Sequence, residues 1–280
     1  MYMKITFLGT GAAEGVPAMF CNCNFCNMVR KSGMSEVRTR SQVMIDDGLL
    51  IDFPPEAYYH SFAFGVDLSA VNTLLVTHSH MDHFYAHDFI LRGYKYAQLE
   101  MDVLDIYGNA EVKKVFDECT AREMKPEVSP HIRYTEVLPF STFNAGGYKV
   151  IAVPAEHTKI EDALLYYVEK GGKGYLHLHD TGNLGDGAIE YLAANGAKAG
   201  AVAYDCTFGC GAGNLSARHM GMPDVVIIRD KLMRAGIIGA GTRNIITHFS
   251  HNCHPSRENM QKLAESEGMT AAYDGFTIYI

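Results

Sequence analysis

Apolar positions along the chain fall into short runs that alternate with polar, glycine-containing turns. Alternating or continuously apolar runs of four to six residues predict strands at 3–8, 42–46, 49–52, 73–77, 103–107, 148–153, 163–168, 174–178, 200–204, 244–247 and 276–280. Between several of them the period lengthens. Residues 109–119 place apolar side chains at Ala110, Val112, Val115 and Phe116, as one face of a helix requires. A second amphipathic stretch, 186–195, follows Gly185; a third, 223–235, opens on Pro223, which suits a first helical turn; a fourth, 256–267, opens on Ser256 just after a proline. Strands dominate the first half and strand–helix alternation appears in both halves. That pattern predicts an α/β sandwich in preference to a doubly wound parallel sheet. No Pro/Ser-rich linker, low-complexity tract or internal repeat divides the chain, so a single domain over 1–280 is expected.

Composition narrows the function classes. The chain has 280 residues, 48% of them hydrophobic, and is long enough to bury a core without disulfide staples. A formal charge of −8 argues against a protein built to coat nucleic acid. No apolar run reaches the roughly 18 residues of a membrane helix. The opening stretch, residues 1–9, lacks the pattern of a secretory signal, so a cytoplasmic location is expected. The 13 histidines cluster as His78/His80/His83, His177/His179 and His248/His251/His254, and three of seven cysteines crowd into Cys21, Cys23 and Cys26. In a chain expected in a reducing compartment, that crowding reads as metal binding before disulfides.

The strongest single signal is His78-Ser79-His80-Met81-Asp82-His83, directly after the predicted strand 73–77. Imidazole and carboxylate are ligands that borderline divalent metals accept. In extended backbone His78 and His80 point to the same side. A turn at Met81 then lets Asp82 and His83 face a second point a few ångströms away, so one hexapeptide supplies two ligands to each of two adjacent metals. Cys21-x-Cys23-x-x-Cys26 offers three thiolates within six residues, suited to a tetrahedral structural zinc that lacks one ligand. That fourth ligand must come from far along the chain, and the segment with His251, Cys253 and His254 offers three choices.

With this hexapeptide after a strand, and a first strand ending in the Gly-rich turn Phe7-Leu8-Gly9-Thr10-Gly11, the chain resembles the metallo-β-lactamase superfamily. The resemblance implies a four-layer αββα sandwich and extends over nearly the whole chain, because later motifs follow in order. Val153-Pro154-Ala155-Glu156-His157-Thr158 is similar to the third-histidine motif, Tyr175–Gly182 to the strand ending in the bridging aspartate Asp180, and Ile246-Thr247-His248-Phe249-Ser250-His251 to the final histidine motif. It implies one metal on His78, His80 and His157, another on Asp82, His83 and His248, and Asp180 shared, the pair being zinc or manganese. An early Cys-x-Cys-x-x-Cys paired with a histidine three residues after the final catalytic one resembles the phosphoribosyl cyclic phosphodiesterase subgroup of the carbon–phosphorus lyase pathway. That likeness selects His251 as the fourth ligand of the structural zinc. His177 and His179, alternating on a predicted strand before Asp180, are expected on the sheet face or as outer partners of ligands. Asp205, ending another strand, is expected either to orient a ligand histidine or to cap a turn.

Two metals about 3.5–4 Å apart can share a hydroxide and clamp the attacked group, and a phosphodiester presents one non-bridging oxygen to each. His219, after a loop with Gly209, Gly211 and Gly213, resembles the extra histidine that phosphodiesterase members place over the metals. It is the candidate transition-state stabiliser or general acid, and Asp82 counts as a catalytic candidate besides being a ligand. Arg38 and Arg40 are read as an exposed charge pair or a phosphate contact. Tyr58–Phe64 and Phe84–His87 are candidates for the mouth of the cleft, and 84–147 carries no motif that matches. The expected activity is hydrolysis of a small cyclic phosphodiester such as phosphoribosyl cyclic phosphate. The same scaffold also serves lactone or thioester hydrolysis, or a non-catalytic metal-binding role in cofactor biosynthesis. Expected partners are a small-molecule phosphodiester, no stable nucleic-acid complex and no membrane, with a homodimer left open.

Overall fold

The computed structural model describes residues 2–211 and 218–280, so Gly213 of the glycine loop and Leu215-Ser216-Ala217 before His219 lie outside the described residues. Fourteen strands are present among them: β1 (Lys4–Gly9), β2 (Gln42–Ile45), β3 (Leu49–Ile51), β4 (Thr73–Leu75), β5 (Leu104–Gly108), β6 (Ile132–Glu136), β7 (Ser141–Ala145), β8 (Tyr148–Pro154), β9 (Leu164–Lys170), β10 (Lys173–Leu178), β11 (Ala201–Asp205), β12 (Arg243–Thr247), β13 (Thr270–Ala271) and β14 (Phe276–Tyr279). The α-helices are α1 (Asn24–Lys31), α2 (Ala57–Ala63), α3 (Ala110–Thr120), α4 (Asp186–Ala194), α5 (Met222–Arg234) and α6 (Arg257–Glu265). One sheet runs β14-β1-β2-β3-β4-β5-β6 and the other β13-β12-β11-β10-β9-β8-β7. The two sheets pack face to face with helices outside, the αββα sandwich that the resemblance implies.

Period-two alternation builds these layers. In β9, Leu164, Tyr166 and Val168 face the space between the sheets, while Leu165 and the neighbouring Tyr167 join the cluster under α4, α5 and α6. In the first sheet, Val43, Ile45, Leu49 and Ile51 turn inward, whereas Met44, Leu50 and Leu74 turn to α3 and the loops around it. Each such side chain is worth roughly 1.5–3 kcal/mol when fully buried. A one-residue slip in any strand would exchange the two sets. The helices begin where the sequence caps them: Asn109 Oδ1 accepts from the Glu111 and Val112 amides, and Ser256 Oγ from the Asn259 amide. β6 and β7 escape the sequence pattern because both are edge strands with exposed positions, and β13 is two residues long. Among the described residues no helix is long and apolar enough to cross a membrane.

Strands β3 to β6 run parallel, as do β10 to β13. Loops leaving their carboxyl ends gather at one edge of the sandwich, where α/β folds bind ligands. The first-strand turn joins them by close backbone approach. Phe249 N donates to Thr10 O and Ala12 N to Phe249 O, and a Cβ at Gly9 would overlap the Arg40 carbonyl. Only glycine fits there.

Candidate metal centre

His78 to His83 leave the carboxyl end of β4, His157 that of β8, Asp180 that of β10, Asp205 that of β11 and His248 that of β12. The hexapeptide is pinned at both ends. Glu161 accepts from the backbone amide and hydroxyl of Ser79, and Phe53 N donates to His83 O at 2.7 Å. Three of the converging residues hold a left-handed backbone without being glycine: Asp52 (φ 65°), Asp180 (φ 50°) and His248 (φ 62°). Such positions cost about 1–3 kcal/mol each and persist where the surroundings over-determine them.

The side chains form two overlapping groups. Ring nitrogens of His78, His80 and His157 lie close together, with His78 Nε2 2.9 Å and His157 Nε2 3.2 Å from His80 Nδ1. Asp180 Oδ2 stands 3.4 Å from both His78 Nε2 and His157 Nε2, and 3.3 Å from His83 Nε2. On the other side His83 Nε2 is 3.3 Å from Asp82 Oδ2, and His248 Nε2 is 2.8 Å from Asp180 Oδ1. Asp180 thus touches both groups.

The outer nitrogens decide what the inner ones can do. His78 Nδ1 faces Thr77 Oγ1 at 3.0 Å, His83 Nδ1 faces Asp52 Oδ2 at 2.6 Å, His157 Nδ1 faces the Arg218 carbonyl at 3.1 Å, and His248 Nδ1 faces Thr207 Oγ1 at 2.9 Å. The Thr77 hydroxyl donates onward to Asp52 and the Thr207 hydroxyl to Asp205, so each threonine oxygen is left to accept from its imidazole N–H. Each of these outer nitrogens thus has an acceptor for its proton, which frees the inner nitrogen to offer a lone pair when the ring is neutral. His83 Nε2, His248 Nε2 and Asp180 Oδ1 are buried without a hydrogen-bond partner. Imidazole nitrogens and carboxylate oxygens converging in a buried space are the donor set a divalent cation takes, so the residues fit metal binding.

Burial alone would raise the carboxyl of Asp82, but His83 beside it holds it well below the usual range. Burial lowers His157, against the charge of Asp180. His219 sits on the rim of a cleft of about 370 Å³ lined also by His80, Asp82, His157, Asp180 and Arg218. Its Nδ1 is 2.9 Å from Asp205 Oδ2 and its ring stacks at 5.7 Å on that of His248. Burial would lower its pKa, but the hydrogen bond and charge of Asp205 raise it to about 9. Asp205 also receives the Thr207 amide and hydroxyl, so it orients His219 and, through Thr207, His248.

The second cluster lies apart from the cleft. Cys21, Cys23, Cys26 and His251 bring their ligand atoms within 4.8 Å of one another. His251 Nδ1 is 3.5 Å from Cys26 Sγ. Cys253 instead donates its thiol to the Ser250 carbonyl, and His254 stacks on Phe25. The Cys26 amide, His251 and Cys21 lower the Cys23 thiol to about 6, while burial raises Cys26 to about 11.

The reading of the two arginines changes. Arg38 and Arg40 are neither exposed nor free for phosphate. Arg38, 3% exposed, donates to the Pro255 and Ala272 carbonyls and to Thr10, and Arg40 donates to the Ala13 carbonyl and Glu56. His177 and His179 are buried on the inner sheet face, paired with the Tyr175 hydroxyl and Ser41. Asp52 escapes the motif reading, although an acid directly after the apolar run Leu49-Leu50-Ile51 is the available signal.

A sequence model of the beta-lactamase superfamily domain matches residues 50–232. The chain is 34% identical over 85 residues to an octanoyltransferase of Porphyromonas gingivalis; the match covers 29% of this chain and only 16% of that protein's length. Among solved structures it is similar to a diphosphatase of the PhnP family (21% identity, TM-score 0.74, covering 100% of this chain and 98% of that one). It is also similar to YhfI from Bacillus subtilis, a metallo-beta-lactamase fold protein (19%, TM-score 0.72, 100% of both chains), and to Zn(2+)-bound PqqB from Methylobacterium extorquens (19%, TM-score 0.69, 98% and 99%). With its αββα sandwich and the matched 183 residues between 50 and 232, the chain belongs to the metallo-β-lactamase superfamily.

Proposed function

We propose that the chain is a metal-dependent hydrolase with two catalytic divalent ions, acting on a phosphodiester. His78, His80 and His157 would hold one ion, Asp82, His83 and His248 the other, with Asp180 between them. Cys21, Cys23, Cys26 and His251 would hold a structural zinc. When bound, the paired ions supply charge neutralisation at the attacked group and a lowered pKa for attacking water. The protein's own residues do the rest. Thr77, Asp52, the Arg218 carbonyl and Thr207 keep the ligand rings turned to the centre. Asp205 holds His219 over the cleft with Nδ1 engaged, which leaves Nε2 as the nitrogen that delivers a proton to a departing alkoxide. The observation that carries the reading is this Asp205–His219 pair placed on the rim of the two ligand groups.

The sequence resemblance to the phosphoribosyl cyclic phosphodiesterase subgroup makes a small cyclic phosphodiester, such as phosphoribosyl cyclic phosphate, the first compound to try. The test is turnover of bis-p-nitrophenyl phosphate and of cyclic sugar and nucleoside phosphates by protein loaded with zinc or manganese. Turnover that disappears on chelation and in His80→Ala supports the reading. Inert protein with both ligand groups filled would refute it and leave a metal-binding accessory role.

A further inference from the structure

Beside the metal cleft the structure opens a second, larger cavity of about 1240 Å³, above the range of about 300–1,000 Å³ usual for small-molecule sites. Its lining includes Leu50, Leu74 and Leu104 from the outward face of the first sheet, together with Phe53 and Phe89 of the same cluster. The rim carries aromatic and aliphatic side chains that folding has left in water. Phe20 is 97% exposed, Tyr58 73% and Met81 54%, and all three line the cavity. An apolar hollow with an exposed apolar rim marks a binding surface.

Two observations give the occupant. First, the cavity adjoins the metal centre: Ala13 and Glu14 line both spaces, and Met81, which lines the cavity, lies between His80 and Asp82 of the hexapeptide. Secondly, both arginines on its walls are already engaged. Arg40 donates to the Ala13 carbonyl and Glu56, and Arg92 to the His131 and Met101 carbonyls. A polyanionic body would find no guanidinium to meet it, whereas an uncharged hydrocarbon would displace water from the walls at a gain. We infer that the substrate is an amphiphile, whose phosphodiester head enters the metal cleft and whose hydrocarbon arm lies in this cavity.

The inference rests on hydrolysis at the metal pair and narrows its substrate away from a bare sugar phosphate. The experiment has two readouts on the full, metal-loaded chain. Binding of the neutral dye N-phenyl-1-naphthylamine, followed by fluorescence, reads the cavity without catalysis. Ala97 and Ser69 lie on its wall, so Ala97→Trp and Ser69→Trp fill it by different routes. Saturable binding near one equivalent, weakened at least tenfold in a folded filling variant, is expected. No saturable binding, or binding unmoved by both variants, overturns the inference. Turnover of p-nitrophenyl alkyl phosphates from methyl to octyl reads the arm in the wild type. kcat/KM is expected to rise at least tenfold along the series, mostly through KM. A flat series overturns the arm while leaving the hydrolase standing. An inert series with the dye bound refutes the hydrolase and keeps the cavity. A dimer that Ala97→Trp dissociates, seen by sedimentation, would assign these walls to a second copy and overturn the inference.

Discussion

Asp52 offers the sharpest test of how the centre is held. Its carboxylate is fully buried and accepts from His83 Nδ1 at 2.6 Å, from the Thr77 amide at 2.8 Å and from the Thr77 hydroxyl at 2.9 Å. An asparagine in its place would keep the size and tolerate the left-handed backbone, where that side chain is among the favoured ones. It has only one acceptor oxygen. If that oxygen takes the Thr77 amide, the new NH2 group faces the His83 N–H, and two donors oppose each other. Loss of a hydrogen bond to a charged group costs about 1.5–3 kcal/mol, or roughly ten- to hundredfold in an equilibrium constant. Outer partners of metal-binding histidines characteristically lower metal affinity by about the same factor when replaced. The deficit falls on the ion at His83, because His78 receives its support from Thr77. Competition of Asp52→Asn with a graded chelator, with metal counted by mass spectrometry, should show one catalytic ion leaving ten- to hundredfold earlier than in the wild type while the other is retained. Both ions within threefold of wild type would refute the account of the outer nitrogens.

Three further outcomes follow from other parts of the molecule. His219→Ala should keep its metals yet lose about 10²–10⁴ in kcat on bis-p-nitrophenyl phosphate, with Asp205→Asn intermediate; a loss confined to KM would move His219 from proton delivery to binding. Cys26→Ser should release one zinc without emptying the histidine groups; at a hundredfold excess of zinc over its Kd that is about 3 kcal/mol, or a Tm fall of roughly 5 °C by differential scanning calorimetry. His60 is held down to about 3 by burial, between Thr39 and Gln42. Its folded pKa is depressed, so the stability it contributes is present above about pH 6.5 and is lost as pH falls towards about 3, by about 1.4 kcal/mol per unit. Urea titrations at pH 7, 5.5 and 4.5 should show a shallower acid loss in His60→Gln than in the wild type. Equal slopes would remove His60 from the acid response.

What the sequence discloses here depends on how local the determinant is. The hexapeptide is readable because four side chains within six residues reach one place, and β9 or β10 because burial on both faces leaves an apolar run. Asp180 and His248 are placed by motif order alone, since nothing near Asp180 distinguishes it from Asp205 before the strands are assembled. Asp52 stays hidden because its role exists only once β3 lies beside β4 and Thr77 comes within reach. Arg38 misleads for a similar reason: a basic residue before a strand resembles surface, yet its carbonyl acceptors, Pro255 and Ala272, come from more than 200 residues away. The apolar cavity is likewise the sum of distant segments. Tyr58 and Tyr85 could be named as cleft-mouth candidates, but not the hollow they border.

The buried carboxylates of the centre can finally be counted as charge. Asp52, Asp82, Asp180 and Asp205 are each at most 5% exposed, and with neutral imidazoles around them they would place four negative charges in one low-dielectric volume. Two divalent ions of the proposed kind would cancel that sum, and a protonated His219 would then stand, with Arg218, as excess positive charge lining the cleft where a leaving group becomes anionic. Without the ions, balance must come from protons. His83, which burial alone would leave neutral, is pushed well above its ordinary pKa by Asp180, Asp82 and Asp52 in their absence. Release of such ions and proton uptake would therefore be one exchange at this centre, and acidification would favour the metal-free protein even where no ligand has moved.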